Sequence, residues 1–212
     1  MSLDVITFVN GKWFENCYIV VNQDRDAMII DPGSRLDDIC GLVEENHWRI
    51  HAIVNTHAHY DHVGAVAGLQ ERFGVPFYLH GADAHLLKRA NLYRMLFESG
   101  EAIRIPTVTH DIALLPETFE AGPFAISWIA TPGHTEGSVC LLCQGFLFSG
   151  DTLMHNSVGR TDLPGGNRDK LLASIRKLTD LPRETVVCGG HGPRTTIAKE
   201  FSEGAPAWSL LQ

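Results

Sequence analysis

Between a buried-looking apolar run, Ile50-His51-Ala52-Ile53-Val54-Asn55, and a small apolar one, Val63-Gly64-Ala65-Val66-Ala67-Gly68-Leu69, lie His57, His59, Asp61 and His62. The first run reads as a strand and the second as the start of a packed helix, so these four side chains sit at a strand-to-helix turn. In extended chain, positions two apart point the same way. His57 and His59 can therefore close on one ion, while the turn swings Asp61 and His62 towards a second. A run of this kind far from either terminus is unlike a tag or a solvated histidine cluster, and it points to a metalloenzyme.

The rest of the chain alternates in ways that suit such a site. Val5 to Val9, Cys17 to Val21 and Ala27 to Ile30 read as short antiparallel strands parted by Asn10-Gly11 and Asn22-Gln23-Asp24. Asp31-Pro32-Gly33-Ser34 breaks the pattern and is expected to cap a helix over Leu36 to Glu45. Helices are expected over Val63 to Phe73, Ala82 to Leu96 and Asp169 to Leu178, with strands at Pro76 to His80, Phe124 to Ala130, Gly145 to Ser149 and Thr185 to Cys188. Meander plus αβ units, repeated, predicts an α/β (α+β) chain whose two similar halves pack as a four-layer αββα sandwich. No linker or charge block cuts residues 1–212, so one domain is expected.

Lys plus Arg number 17 against 25 Asp plus Glu, a formal charge of -8, which argues against nucleic acid or an anionic membrane as partner. No basic leader and no apolar run of membrane-spanning length is visible, so a cytoplasmic enzyme is expected. Five cysteines fit reduced, buried thiols. Cys140 and Cys143 form a C-x-x-C, yet positions three apart on a strand face opposite ways, so core thiols account for them better than zinc or redox chemistry. His47, His51, His80, His85 and His110 lack ligand spacing, and Trp13, Trp48, Trp128 and Trp208 read as core or surface anchors.

Three further positions follow strands directly: His134 in Thr131-Pro132-Gly133-His134-Thr135, Asp151 after Leu147-Phe148-Ser149-Gly150, and His191 in Gly189-Gly190-His191-Gly192-Pro193. Loops at strand ends commonly carry chemistry, and this arrangement would gather the three at one edge of the sandwich. With the first run they spell H-x-H-x-D-H, H, D, H, a pattern over most of the chain that resembles the metallo-β-lactamase superfamily. The resemblance implies the αββα fold and a first metal on His57, His59 and His134. It implies a second on Asp61, His62 and His191, with Asp151 bridging both beside a hydroxide, and Asp61 and Asp151 as the catalytic carboxylates. Nitrogen and carboxylate donors suit two divalent ions, zinc above all, with iron and manganese also compatible.

Ser149-Gly150-Asp151-Thr152-Leu153 is similar to the G-D-T-L run of glyoxalase II, whereas β-lactamases generally carry cysteine at the bridging position. Gly159-Arg160-Thr161-Asp162 resembles both compact glyoxalase II-like (hydroxyacylglutathione hydrolase-like) hydrolases and persulfide dioxygenases, while Leu163-Pro164-Gly165-Gly166-Asn167 and His191-Gly192-Pro193-Arg194-Thr195-Thr196-Ile197 resemble the compact hydrolases. That implies thioester hydrolysis of S-lactoylglutathione or a similar small acyl thioester. A thiolate leaves with a pKa of about 8.5 and needs no prior protonation, unlike an amide nitrogen. Arg160 is the candidate anchor for a glutathione carboxylate, with Asn167, Arg168 and His155 beside it as weaker candidates. The alternative is a mononuclear iron persulfide dioxygenase using His57, His134 and Asp151; a non-catalytic metal module ranks last. Oligomeric state is not legible.

Overall fold

The computed structural model describes residues 3–98 and 100–211. β-branched and aromatic runs at the N-terminus alternate faces as a pleated strand requires, and they form β1 (Asp4–Asn10), β2 (Glu15–Val21) and β3 (Asp26–Ile30), an antiparallel meander. Three strands then join in parallel: β4 (Arg49–Val54), β5 (Phe77–Leu79) and β6 (His110–Asp111), in the sheet order β1-β2-β3-β4-β5-β6. The crossovers are α1 (Leu36–Glu45), α2 (Tyr60–Val63), α3 (Val66–Phe73), α4 (Ala84–Lys88) and α5 (Ala90–Phe97).

The second half repeats the plan. β7 (Thr118–Ala121), β8 (Phe124–Ala130), β9 (Val139–Cys143) and β10 (Phe146–Gly150) form a meander. A small hairpin of β11 (Leu153–Met154) and β12 (Ser157–Val158) follows, then α6 (Arg168–Leu178), and β13 (Val186–Gly189) pairs in parallel with β10. β14 (Thr195–Thr196), α7 (Ile197–Glu200) and α8 (Pro206–Leu210) complete a sheet of order β14-β13-β10-β9-β8-β7.

Strand periodicity explains the layers. On β2, Cys17, Ile19 and Val21 pack outward with Ile39 and Val43 of α1 and Leu69 of α3, while Tyr18 and Val20 pack inward against Leu141 and Phe148 of the opposite sheet. Leu147 and Val187 turn to the other outside, against Leu171, Ile175 and Leu178 of α6. Helix, sheet, sheet and helix are thus stacked, as the alternation of elements predicts. Cys140 joins the α6 cluster and Cys143 the inter-sheet cluster, so the C-x-x-C pair does point to opposite faces, and all five thiols are free. Among the described residues no helix is long and apolar enough to cross a membrane.

Three local expectations are corrected. The helix anticipated over Val63 to Phe73 is broken, because Ala65 N–H donates to Pro32 O at 3.0 Å and a side chain at Gly64 would strike the Gly33 carbonyl. The helix anticipated over Ala82 to Leu96 divides at Arg89, which leaves α-helical geometry with φ of -102°. Nor does Asp31 or Ser34 cap α1, whose N-cap is Arg35 in the left-handed region, with no side-chain cap hydrogen bond. Asp31 is drawn to Thr56 and His62 instead, and the Ser34 hydroxyl donates to Asn10 and Glu15.

Candidate metal centre

Four strand ends and a short helix meet at one edge of the sandwich. β4 runs out into His57 and His59, α2 carries Asp61 and His62, and His134, Asp151 and His191 follow β8, β10 and β13. Backbone hydrogen bonds stitch these ends across the two sheets, Val139 N to Thr56 O at 2.9 Å and Asn16 N to Gly190 O at 2.7 Å, and Gly190 N to Gly150 O at 2.7 Å ties two ends within the second sheet. Gly190 must lack a side chain, since a Cβ there would collide with Asp151 Oδ1.

The donor atoms fall into two main groups. One nitrogen each from His57, His59 and His134 lies within 4.8 Å of the others, as do donor atoms of Asp61, His62 and His191. Asp151 stands between the groups. Its Oδ2 is 3.4 Å from His134 Nε2 and 3.7 Å from His191 Nε2, and its Oδ1 is 3.7 Å from His62 Nε2. The outer nitrogens of four rings are occupied: His57 Nδ1 by Thr56 Oγ1 at 3.0 Å, His62 Nδ1 by Asp31 Oδ2 at 3.2 Å, His134 Nδ1 by Arg160 O at 2.8 Å and His191 Nδ1 by Trp13 O at 2.9 Å. Their Nε2 atoms therefore face inward; His59 is the exception and turns Nδ1 inward, 2.8 Å from His134 Nε2.

This arrangement fits divalent cations. His57 Nε2, His62 Nε2 and Asp151 Oδ1 are buried with no hydrogen-bond partner, a costly state for polar atoms unless a cation receives their lone pairs. Burial, reinforced by neighbouring imidazoles, pushes the His57 and His59 pKa values well below the usual histidine range, so both rings are neutral donors at pH 7. Burial raises the Asp151 pKa, but His134, His62, His191 and His59 outweigh it and hold the carboxyl at about 2. His62 is opposed by burial but pulled up to about 10 by Asp61, Asp31 and Asp151, so a cation bound there displaces a proton.

A second set of side chains, which sequence reading did not single out, fixes the ligand loops. Asp31, buried, accepts from Thr56 N at 2.8 Å and Thr56 Oγ1 at 2.6 Å as well as facing His62. Asp83, fully buried, accepts from Ala58 N at 3.0 Å, Gly137 N at 2.7 Å and Thr135 Oγ1 at 2.9 Å, and so joins the His57–His59 loop to the His134 loop. An aspartate in a pre-helix turn gives no sequence sign of contacts 25 or 54 residues away.

Of the proposed substrate residues, Arg160 borders the cleft above the donor set, its guanidinium bound to the Asp162 carboxylate at 2.6 and 2.7 Å. Asn167 lies outside the cleft lining and caps α6, accepting from Lys170 N at 3.0 Å. Replacing it with alanine is expected to lower stability by about 1 kcal/mol in chemical denaturation. His155 is also outside the lining and contacts Asn156. Trp13, read as a core or surface anchor, lines the cleft instead, its indole N–H donating to Tyr60 Oη at 2.6 Å. The other three fit the anchor reading better. Trp48 and Trp128 pack against core clusters, and Trp208 is exposed.

Residues 10–191 match the profile of the Metallo-beta-lactamase superfamily, and the chain belongs to that superfamily of metallo-hydrolases. It is 37% identical to a probable metallo-hydrolase, YqgX, of Bacillus subtilis, over 87% of this chain and 88% of the relative. It is 32% identical to the hydroxyacylglutathione hydrolase GloC of Haemophilus influenzae, over 94% of this chain and 95% of that protein. Among solved structures, the BLEG-1 B3 metallo-beta-lactamase superposes with TM-score 0.90 at 36% identity, covering 96% of this chain and 98% of the other. TTHA1623 in a di-iron-bound form superposes with TM-score 0.84 at 37% identity, covering 95% and 99%.

Proposed function

We propose that the protein is a two-metal thioester hydrolase acting on S-lactoylglutathione or a similar small acyl thioester. The observation that carries the two-metal reading is the position of Asp151, whose Oδ2 lies between His134 of one donor group and His191 of the other while its Oδ1 faces His62. His57, His59 and His134 would hold one ion and Asp61, His62 and His191 the other, with zinc favoured by the donor types and iron supported by the di-iron relative. Two bound divalent ions supply Lewis acidity and a nucleophile at neutral pH.

The chain's own groups do the remainder. Thr56, Asp31, Arg160 O and Trp13 O fix the ligand rings, so the donor set is held in place before substrate arrives. Asp61 and Asp151, as the catalytic carboxylates, would balance the charge of the cations and orient water by accepting its hydrogen bond. Thioester chemistry is supported by the GloC relative and by the leaving group: a thiolate departs at neutral pH without a general acid. Tyr60, whose hydroxyl is pushed up to about 12 chiefly by burial, is a poor proton donor for an amine.

Purified protein is expected to contain two metal ions per chain and to cleave S-lactoylglutathione with no oxygen consumption. Metal analysis, a thiol-release assay and an oxygen electrode decide it. One iron per chain, with oxygen uptake on glutathione persulfide, would overturn the reading in favour of a dioxygenase.

A further inference from the structure

The cleft above the donor set has one polar wall, the ligands themselves, and one apolar wall. Tyr93 and Phe97 lie one turn apart on α5, Leu86 of α4 joins them in the lining, and Trp13, Tyr60 and Leu163 close the rest. The turn carrying Trp13 is held against the end of α5, because Lys12 Nζ donates to Phe97 O at 3.3 Å. Phe97 is 40% exposed and Trp13 45% exposed, so two large rings meet solvent at the mouth of the site. Exposed aromatics beside a reactive centre are what a bound apolar group would cover.

Part of the polar capacity of this wall is already used. Trp13 has one donor, and it is used on Tyr60. Arg160 is the one cation among the described lining residues, and its Nε and Nη2 are both engaged by Asp162. Among the described lining residues, a glutathione conjugate with its two carboxylates meets one Arg side chain, and that guanidinium already pairs with Asp162. The cavity volume of about 200 Å³ is small. A dry cavity of about 150 Å³ accommodates benzene, so a phenyl or short branched acyl group is of the right size.

Resting on the hydrolase reading, we propose that the preferred substrate is a thioester carrying a small apolar group, aromatic or branched, seated on Leu86, Tyr93, Phe97 and Trp13. Its polar remainder points out to solvent. Hydrolysis breaks the acyl C–S bond and forms a C–O bond from water, giving a carboxylate, a thiol and a proton, with no redox change. Arg160 on this view holds the Gly159–Asp162 loop beside His134, whose Nδ1 is bonded to Arg160 O, and is not the selector.

The test compares two inert thioethers by calorimetry on zinc-loaded protein: S-benzyl-N-acetylcysteamine, neutral and apolar, and S-methylglutathione. The benzyl compound is expected to bind about tenfold more tightly. The kcat/KM of phenylacetyl-N-acetylcysteamine should likewise exceed that of S-lactoylglutathione. Phe97→Ser and Tyr93→Ser should each shrink both ratios several-fold, with circular dichroism confirming the fold; Phe97 is exposed enough to be replaced if Tyr93→Ser does not fold. Equal or tighter binding of S-methylglutathione, or ratios unmoved in a folded variant, would overturn the proposal. If neither thioester is cleaved while the benzyl preference persists and falls in the variants, the hydrolase reading fails and the apolar site stands.

Discussion

Asp151→Asn is expected to lower kcat/KM by about 10³-fold and to reduce the metal content below two ions per chain. Losses of about 10²–10³ follow removal of one preorganised electrostatic partner, and this carboxylate faces both donor groups. Asparagine keeps the shape but carries no charge and offers one carbonyl oxygen where two carboxylate oxygens stood. Steady-state kinetics and metal analysis on the same preparation check it. Full occupancy with wild-type kcat/KM would remove Asp151 from the bridging position. His57→Ala should also lose metal, because the ring has no other inward partner for its buried Nε2.

Asp31→Ala is expected to weaken metal affinity by about 10–100-fold and to destabilise the fold by about 3–5 kcal/mol. Asp31 is buried, touches no proposed substrate position, and holds Thr56 and His62 together. Removing it leaves Thr56 N–H without its carboxylate acceptor and frees the His62 ring to rotate. The backbone at Asp31 has φ of 51°, a left-handed conformation that alanine tolerates less well than aspartate. Chelator competition and denaturant unfolding separate the two effects. Unchanged metal affinity alongside the stability loss would show that Asp31 acts through packing alone and not through His62.

Legibility in the sequence followed the range of the interactions. α1 spans Leu36–Glu45 and β8 spans Phe124–Ala130, both as the local pattern predicts, because amphipathic and alternating runs report which face is buried. The ligand types were visible because a dense histidine run and three residues after strands carry their own signal. What was hidden depended on distant partners. The break between α2 and α3 comes from Pro32 and Gly33, about thirty residues earlier, and the Asp83 clamp needs Gly137 from the other half of the molecule. Trp13 was unreadable for the same reason: its place in the cleft follows from a turn folding back onto Tyr60 and α5.

Each donor group draws on both halves of the sandwich, His57 and His59 with His134, Asp61 and His62 with His191. Cation binding is then coupled to closure of the two sheets, since neither half alone presents a complete set. Ions that bind the closed state and not the parted one stabilise it by mass action. Metal acts as a rivet between the halves. Slowly exchanging amides at Asn16 and Val139, whose hydrogen bonds run across this seam, would report its presence.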